Sequence, residues 1–321
     1  MAHKHELRYK FLKSAYQNGL VSTNSTIEKD LGITRETTRY LLERLKQEGY
    51  YSDKRLEINT ARLGLNVFAW VFVSINWESM EEKEFIRKTI SHSYVHTIAK
   101  VTGEYDFAIK IFGPSMQKLN SFLMVFEKSF TGVIQDITVI YAITEFKRHY
   151  SIVKKTKKAE LKKIDCVLIE EKNKNPEKSL MEIAKEQNLH RNTVANRWNK
   201  LWKEEIILKE SIDLTDKGVS EIKMNLKCFI TIKSRPGNEL NVIRELVKLD
   251  SSQDVFLTLS NLVVVVNRLE NSLELATFHK KIMSANKYIR KTNTILFLEK
   301  KSRNYLTKEE LRNILGVNCG K

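Results

Sequence analysis

Arg35 and Arg191 stand 156 residues apart (191 − 35), inside two stretches of matching pattern, ITRETTRYLLERLKQEGY (33–50) and LHRNTVANRWNKLWKEEI (189–206). In each, a turn residue precedes a few short polar side chains and then an amphipathic run. The first stretch offers Thr34, Arg35, Glu36, Thr37, the outward Arg39 and, further along, Arg44. The second offers His190, Arg191, Asn192 and Thr193, with outward Asn196, Arg197 and Lys200. These side chains have a definite chemistry. A guanidinium bonds O6 and N7 of guanine together, and a carboxamide matches adenine. Threonine hydroxyls and a helix N-terminus suit phosphate oxygens. Arg35 and Arg191 occupy equivalent places and are the first candidates for base contact. Glu36 and Glu43 repel phosphates, whereas the second stretch has no acid before Glu204. The second is therefore expected to be the stronger reader of a duplex.

Such side chains act only if a helix presents them. Apolar positions at Thr38, Leu41, Leu42 and Leu45 recur at i, i+3, i+4, i+7 and predict a helix from about Thr34 to Glu48. Thr34 is a natural N-cap and Gly49 a natural C-terminal stop. A short helix near Thr26–Leu31 and a tight turn at Gly32-Ile33 precede it, giving helix-turn-helix. The turn favours a residue tolerant of positive φ; Gly32 fills it in the first copy and Asn188 in the second. Val194, Trp198 and Leu201 form the second inward stripe.

The shift of 156 survives well beyond these helices, putting Leu119 on Leu275, Phe122 on Phe278 and Thr138 on Thr294. A few extra residues are needed in the second copy near the positions matching 50–75. A tandem duplication is the natural reading. After each helical part the period changes. Strands are expected at 67–75, 95–101, 107–111 and 137–143, with helices at 81–90 and 116–129. The order βαββαβ implies an antiparallel sheet with helices on one face, the ferredoxin-like plan. The second copy repeats it, with strands at 228–232, 254–259, 262–267 and 292–298 and helices at 238–249 and 272–284.

The fold class is thus α+β, two copies of a (winged) helix-turn-helix domain followed by a ferredoxin-like domain. The expected divisions are 1–60, 61–150, 151–215 and 216–302, with a tail helix at 303–321. The join KRHYSIVKKTKKAELKK (147–163), with eight basic residues and one acid, reads as a solvated linker entering a helix, with a phosphate-contacting strap as the alternative.

The formal net charge of +16 favours a polyanionic partner. Three cysteines without a CxxC pair argue against a disulfide framework and a thiolate metal cage. His92 and His96 fall at a strand start, too far apart to share a metal. No Ser/His/Asp order, phosphate loop or metal motif stands out, so neither catalytic residues nor a cofactor is expected. The N-terminus lacks an apolar leader segment, and apolar runs such as 67–75 are too short to span a bilayer. A soluble cytoplasmic protein without membrane contact is expected.

With these residues in hand, the chain resembles the Lrp/AsnC transcription regulators, as two of them fused. LGLNVFAWVFVSI (63–75), VTGEYDFAIKI (101–111) and LKKIDCVLI (161–169) are similar to that family's first sheet strand, its Gly-x-Tyr-Asp turn and the Leu-x-x-x-Asp start of its first helix. The resemblance implies binding of double-stranded DNA, dimerisation or higher assembly through the sheets, and a small amino-acid-like effector. An effector would fall at Thr102, Gly103, Glu104, Tyr105 and Asp106; the second copy has LSNL (259–262) instead. A glycine-containing hairpin turn has structural value of its own. Diverged readers in one chain imply an asymmetric site if they pair within the chain. Two rivals stand beside this reading. Fused pairs of the same architecture occur in siroheme decarboxylases, which bind a tetrapyrrole between sheet domains. A protein-interaction module with non-DNA-binding helix-turn-helix units is the other.

Overall fold

The computed structural model describes residues 2–22, 26–153, 157–285 and 287–302; the expected tail helix at 303–321 lies outside them. The chain divides into two compact units, one gathering 1–64 with 156–223, the other 65–155 with 224–303.

Among the described residues the first unit holds two helical bodies, one of three helices and one of four. One comprises α1 (Ala2–Gln17), β1 (Val21–Ser22), α2 (Ile27–Leu31), α3 (Arg35–Gln47) and β2 (Tyr51–Ile58). The other comprises α6 (Lys163–Lys174), α7 (Leu180–Glu186), α8 (Arg191–Lys203), β8 (Ile207–Leu214) and α9 (Asp216–Glu221). Phe11, Leu12, Ile27 and Leu45 are buried in the first body. Cys166, Leu168, Ile183, Val194, Leu201 and Ile206 fill the second, with Trp198 packed against them. Each fully buried side chain of this size is worth about 1.5–3 kcal/mol. β2 pairs antiparallel with β8 from Tyr51↔Leu214 to Ile58↔Ile207, and β1 adds to the other edge of β8. The strand after each helical body therefore completes its sheet with the strand of the other. Gly218 of α9 is held tight: a Cβ there would lie 1.9 Å from the Tyr50 carbonyl oxygen.

The second unit holds β3 (Val67–Ile75), α4 (Glu82–Ile90), β4 (Val95–Val101), β5 (Phe107–Gly113), α5 (Met116–Ser129), β6 (Ile134–Arg148) and β7 (Ser151–Ile152). It continues with β9 (Leu226–Ser234), α10 (Glu239–Val247), β10 (Ser252–Thr258), β11 (Val263–Leu269), α11 (Ser272–Ala285) and β12 (Ile289–Ser302). Strands run in the order β10-β11-β9-β12-β4-β5-β3-β6, and β6 pairs again with β10, closing the ring. Closure removes most open edges. Alternation along each strand assigns one face to the helices and one to the ring interior. Ala69, Val71, Ile109, Leu119, Leu123 and Phe126 pack on the helix side of the first half. Cys228, Ile230, Val263, Val265, Val242 and Phe278 do so in the second. Aromatic rings fill the interior: Phe68 meets Phe256 at 5.0 Å, Phe72 meets Phe229 at 5.1 Å, and Trp70 meets Phe229 and Phe297 at 5.5 and 5.6 Å.

One ion pair is buried among those rings. Lys110 of β5 donates to Asp254 of β10 at 3.1 Å, with side chains 4% and 5% exposed. Burial would raise the Asp254 carboxyl, but the charges of Lys110 and His149 and the His149 N–H hold it far below the usual carboxylate range.

The basic join is not simply a solvated linker. Lys147 is buried at the end of β6 and donates to the Val247 and Leu249 carbonyls at 3.0 and 2.9 Å. Arg148 pairs with Glu145. Further on, Ala159 and Leu161 are buried in the core that includes α6. Apolar residues spaced among cations tie both ends into packed structure, which the charge count conceals.

Candidate nucleic-acid interface

The helix pairs α2–α3 and α7–α8 form as local chemistry dictates. Gly32 ends α2 at φ +63° with no atom crowding a Cβ. Thr34 caps α3: its hydroxyl accepts the Thr37 N–H at 3.2 Å. Gly49 takes φ +75°, and the N–H groups of Gly49 and Tyr50 reach the Lys46 and Leu45 carbonyls. In the second segment Ser179 and Glu182 form a capping box at α7. Asn188 turns the chain at φ +51°. His190 caps α8, its Nδ1 accepting the Asn192 N–H at 3.3 Å.

The two helices then differ. On α3, Thr34, Arg35, Glu36 and Arg39 are exposed and Thr37 half-buried. Arg39 donates to Glu43 at 3.0 Å, and Arg44 to Glu48 at 2.6 Å and to the Tyr40 hydroxyl at 3.3 Å. The Glu36 carboxyl is held below its usual range by its own backbone N–H and the Thr34 hydroxyl. A groove of about 410 Å³ where the two bodies of this unit meet is lined by Arg39, Glu43, Lys46, Tyr51 and Lys54 of the first and Glu177 of the second, mixing both charges. On α8, His190, Arg191, Asn192, Thr193 and Asn196 are all exposed, and α8 itself contains no acid. Lys200 is exposed and lies 3.3 Å from Glu204.

Arg197 departs from the expected outward orientation. Its Nε donates to Asp165 Oδ1 at 2.8 Å and a terminal nitrogen to Oδ2. Asp165 is fully buried and also accepts the Lys162 N–H at 2.7 Å. The bond to Asp165 keeps the Arg197 guanidinium more firmly protonated than usual, against a smaller effect of burial. Arg197 is thus spent on joining α8 to α6. The reason lies in its spacing: Val194, Arg197, Trp198 and Leu201 are i, i+3, i+4 and i+7, the inward stripe. That period also exposes an outward row, Asn192, Asn196, Asn199 and Lys203, of which Asn199 and Lys203 are absent from the sequence-based set.

The turn Thr102–Asp106 is largely occupied with its own fold. Asp106 accepts the Ile75 N–H at 2.8 Å and the Trp77 indole N–H at 3.3 Å. The Tyr105 hydroxyl donates to Thr138 at 2.8 Å. Thr102 donates its N–H to the Leu296 carbonyl and accepts the Leu296 N–H on its hydroxyl. Gly103 (φ +101°) and Glu104 are exposed. The imidazoles are dispersed: His92 packs on Phe122 and Phe126, His96 beside Thr97 and Phe112, and His279 against Thr294. Among the described residues no helix is long and apolar enough to cross a membrane.

No protein-family model matches the chain. An uncharacterised helix-turn-helix transcriptional regulator of Pyrococcus horikoshii is 24% identical over 121 residues, 37% of this chain and 81% of that protein. The transcriptional regulator FL11 of Pyrococcus furiosus is 25% identical over 97 residues, 30% of this chain and 63% of its own length. The siroheme decarboxylase NirDL shares the fold over 96% of this chain and 97% of its own, with TM-score 0.58 and 13% identity.

Proposed function

We propose that this protein is a sequence-specific, double-stranded-DNA-binding transcription regulator of Lrp/AsnC type, acting without catalytic chemistry. The observation that carries the reading is the N-terminal half of α8. It presents Arg191, Asn192 and Asn196 to solvent after a capped turn, on a helix free of acids. The N-terminal residues of the second helix of such a unit are those that reach base edges. The curated relatives named as helix-turn-helix transcriptional regulators support the same class.

The chain reads as two fused copies, each a helix-turn-helix body followed by a βαββαβ sheet body, acting as its own dimer. The pairings β2–β8, β6–β10 and β12–β4 support this, since they occupy within one chain the edges that two separate copies would offer each other. α3 and α8 then read two unlike half-sites. Any assembly of several chains uses another face. An amino-acid-like effector would approach the turn at its exposed Gly103 and Glu104. A thermal-shift screen of the twenty amino acids tests that part, and no shift with any of them removes it.

Duplex binding is tested by titrating labelled DNA over a series of salt concentrations. Arg35→Ala and Arg191→Ala should each weaken binding to a preferred site by about 1–3 kcal/mol if they read guanine. Unchanged affinity and preference in both variants would mean that these helices stay out of the groove. The fold shared with a siroheme decarboxylase supplies a competing reading, in which a tetrapyrrole is the ligand. A spectral titration with iron siroheme decides it: a saturable change in the absorption spectrum would favour the enzyme.

A further inference from the structure

The second sheet half carries a cluster of cations that its fold does not require. Lys233 of β9 and Lys291 of β12 face each other across the ladder, and Arg290 is next in the chain. The Arg235 N–H donates to the Tyr288 carbonyl at 2.7 Å, bringing that loop against Lys287. All five cations are exposed, and none has an ion-pair partner among the described residues. Like charges directly opposite on a ladder cost stability.

Cations on an unpaired strand edge can simply guard against aggregation. β12 does have such an edge, since its residues 289–296 pair only with β9 and β4 joins from Phe297. The first half provides a control, through the correspondence between the two copies. There β6 likewise pairs only with β3 until β10 joins at Ala142. The positions matching the five cations by ladder register are Ser74, Asn76, Gly132, Gln135 and Asp136, one acid and no cation among them. On the helices, Lys280 and Lys281 stand where the first half has Met124 and Val125. The same edge therefore stands without cations in one half and with a concentration of them in the other.

We infer that this end of the second sheet half is a further duplex-binding surface, contacting nucleic-acid phosphates without reading sequence. Flexible lysine and arginine heads without interspersed carboxylates suit a regular line of phosphates, where each pairing releases counterions. The inference rests on the repeat for its control, but its site lies outside both helix-turn-helix segments.

The test uses the full chain, a random-sequence duplex and a preferred duplex, titrated over a potassium chloride series. Lys233→Ala/Arg290→Ala/Lys291→Ala should lower the salt slope by roughly 0.9 for each phosphate no longer neutralised. The ratio of affinities for preferred and random duplexes should stay the same, as should the melting curve. A slope equal to that of the unsubstituted protein overturns the inference, including in favour of an acidic protein as the ligand. Arg35→Ala/Arg191→Ala, run alongside, separates the two sites. A lowered slope in the triple variant with sequence preference intact in the double variant upholds this surface and sinks base reading by α3 and α8. The reverse pattern sinks this surface alone.

Discussion

α3 and α8 are the same element twice, thirteen residues each, entered by a positive-φ turn and an N-cap. Yet α3 carries acids within the helix, Glu36 and Glu43, and α8 carries none. Arg39 and Arg44 are each held by a glutamate one turn on, and Glu36 sits in the first turn. α8 has Asn192 and Asn199 where α3 has Glu36 and Glu43, which leaves Arg191 without acids on its helix, while the pair at the helix end is kept, Lys200 lying 3.3 Å from Glu204. The difference teaches that a shared fold leaves the exposed face free to diverge, provided the inward stripe is kept packed. Even there the solutions differ. Where the first body has Tyr9 and Leu41, the second has Asp165 and Arg197 at the matching positions.

That exchange offers the largest effect. Asp165→Ala leaves Arg197 and the Lys162 N–H without their acceptor and should cost about 3 kcal/mol, read by urea denaturation. A loss below about 0.5 kcal/mol would show that the pair does not anchor α8. Next, Arg191→Ala should weaken duplex binding by about 1–3 kcal/mol. Arg35→Ala should do less than Arg191→Ala; equal losses would erase the proposed asymmetry. The turns give a smaller pair of effects. Gly32→Ala should cost about 1–2 kcal/mol because alanine resists φ +63°. Asn188→Gly should be neutral or slightly stabilising, and thermal melts distinguish the two. Smallest, Glu43→Gln releases Arg39 and should raise the salt slope by at most about 0.9, making α3 more like α8.

Much of this architecture is legible in the sequence because it is local. Val67–Ile75, Val95–Val101 and Met116–Ser129 match their expected ranges, since period and flanking turns specify them. Thr34 and Gly49 bound α3 for the same reason. The long strands are less legible. β6 extends to Arg148 and β12 to Ser302, beyond the expected 137–143 and 292–298, because each continues onto a strand of the other half. Pairing between residues more than a hundred positions apart, such as Phe256↔Glu145, leaves no local signature. At the candidate site, Arg35, Arg191, Asn192 and Asn196 are exposed where the helical period puts them. Arg197 is the exception: its charge suggests an outward side chain, but its spacing places it one turn after Val194 on the buried face. Its match to Leu41 under the shift of 156 is the signal that gives it away.

The ring interior adds a pH dependence unrelated to DNA. Asp254 has a folded-state pKa well below its unfolded value of about 3.9, so its stabilising contribution is fully present above that value. It is lost as the pH falls toward the folded-state pKa. Stability should therefore be flat in this respect near neutrality and decline below about pH 4, and Asp254→Asn should remove that part of the decline.

The most direct measurement is selection of bound duplexes from a random pool by the full chain, followed by sequencing. Two unlike readers in one chain should enrich a non-palindromic consensus whose halves differ. Arg191→Ala should relax one half of it and Arg35→Ala the other. A perfect palindrome would contradict reading by α3 and α8 of the same molecule, and a pool without enrichment would contradict sequence-specific binding altogether.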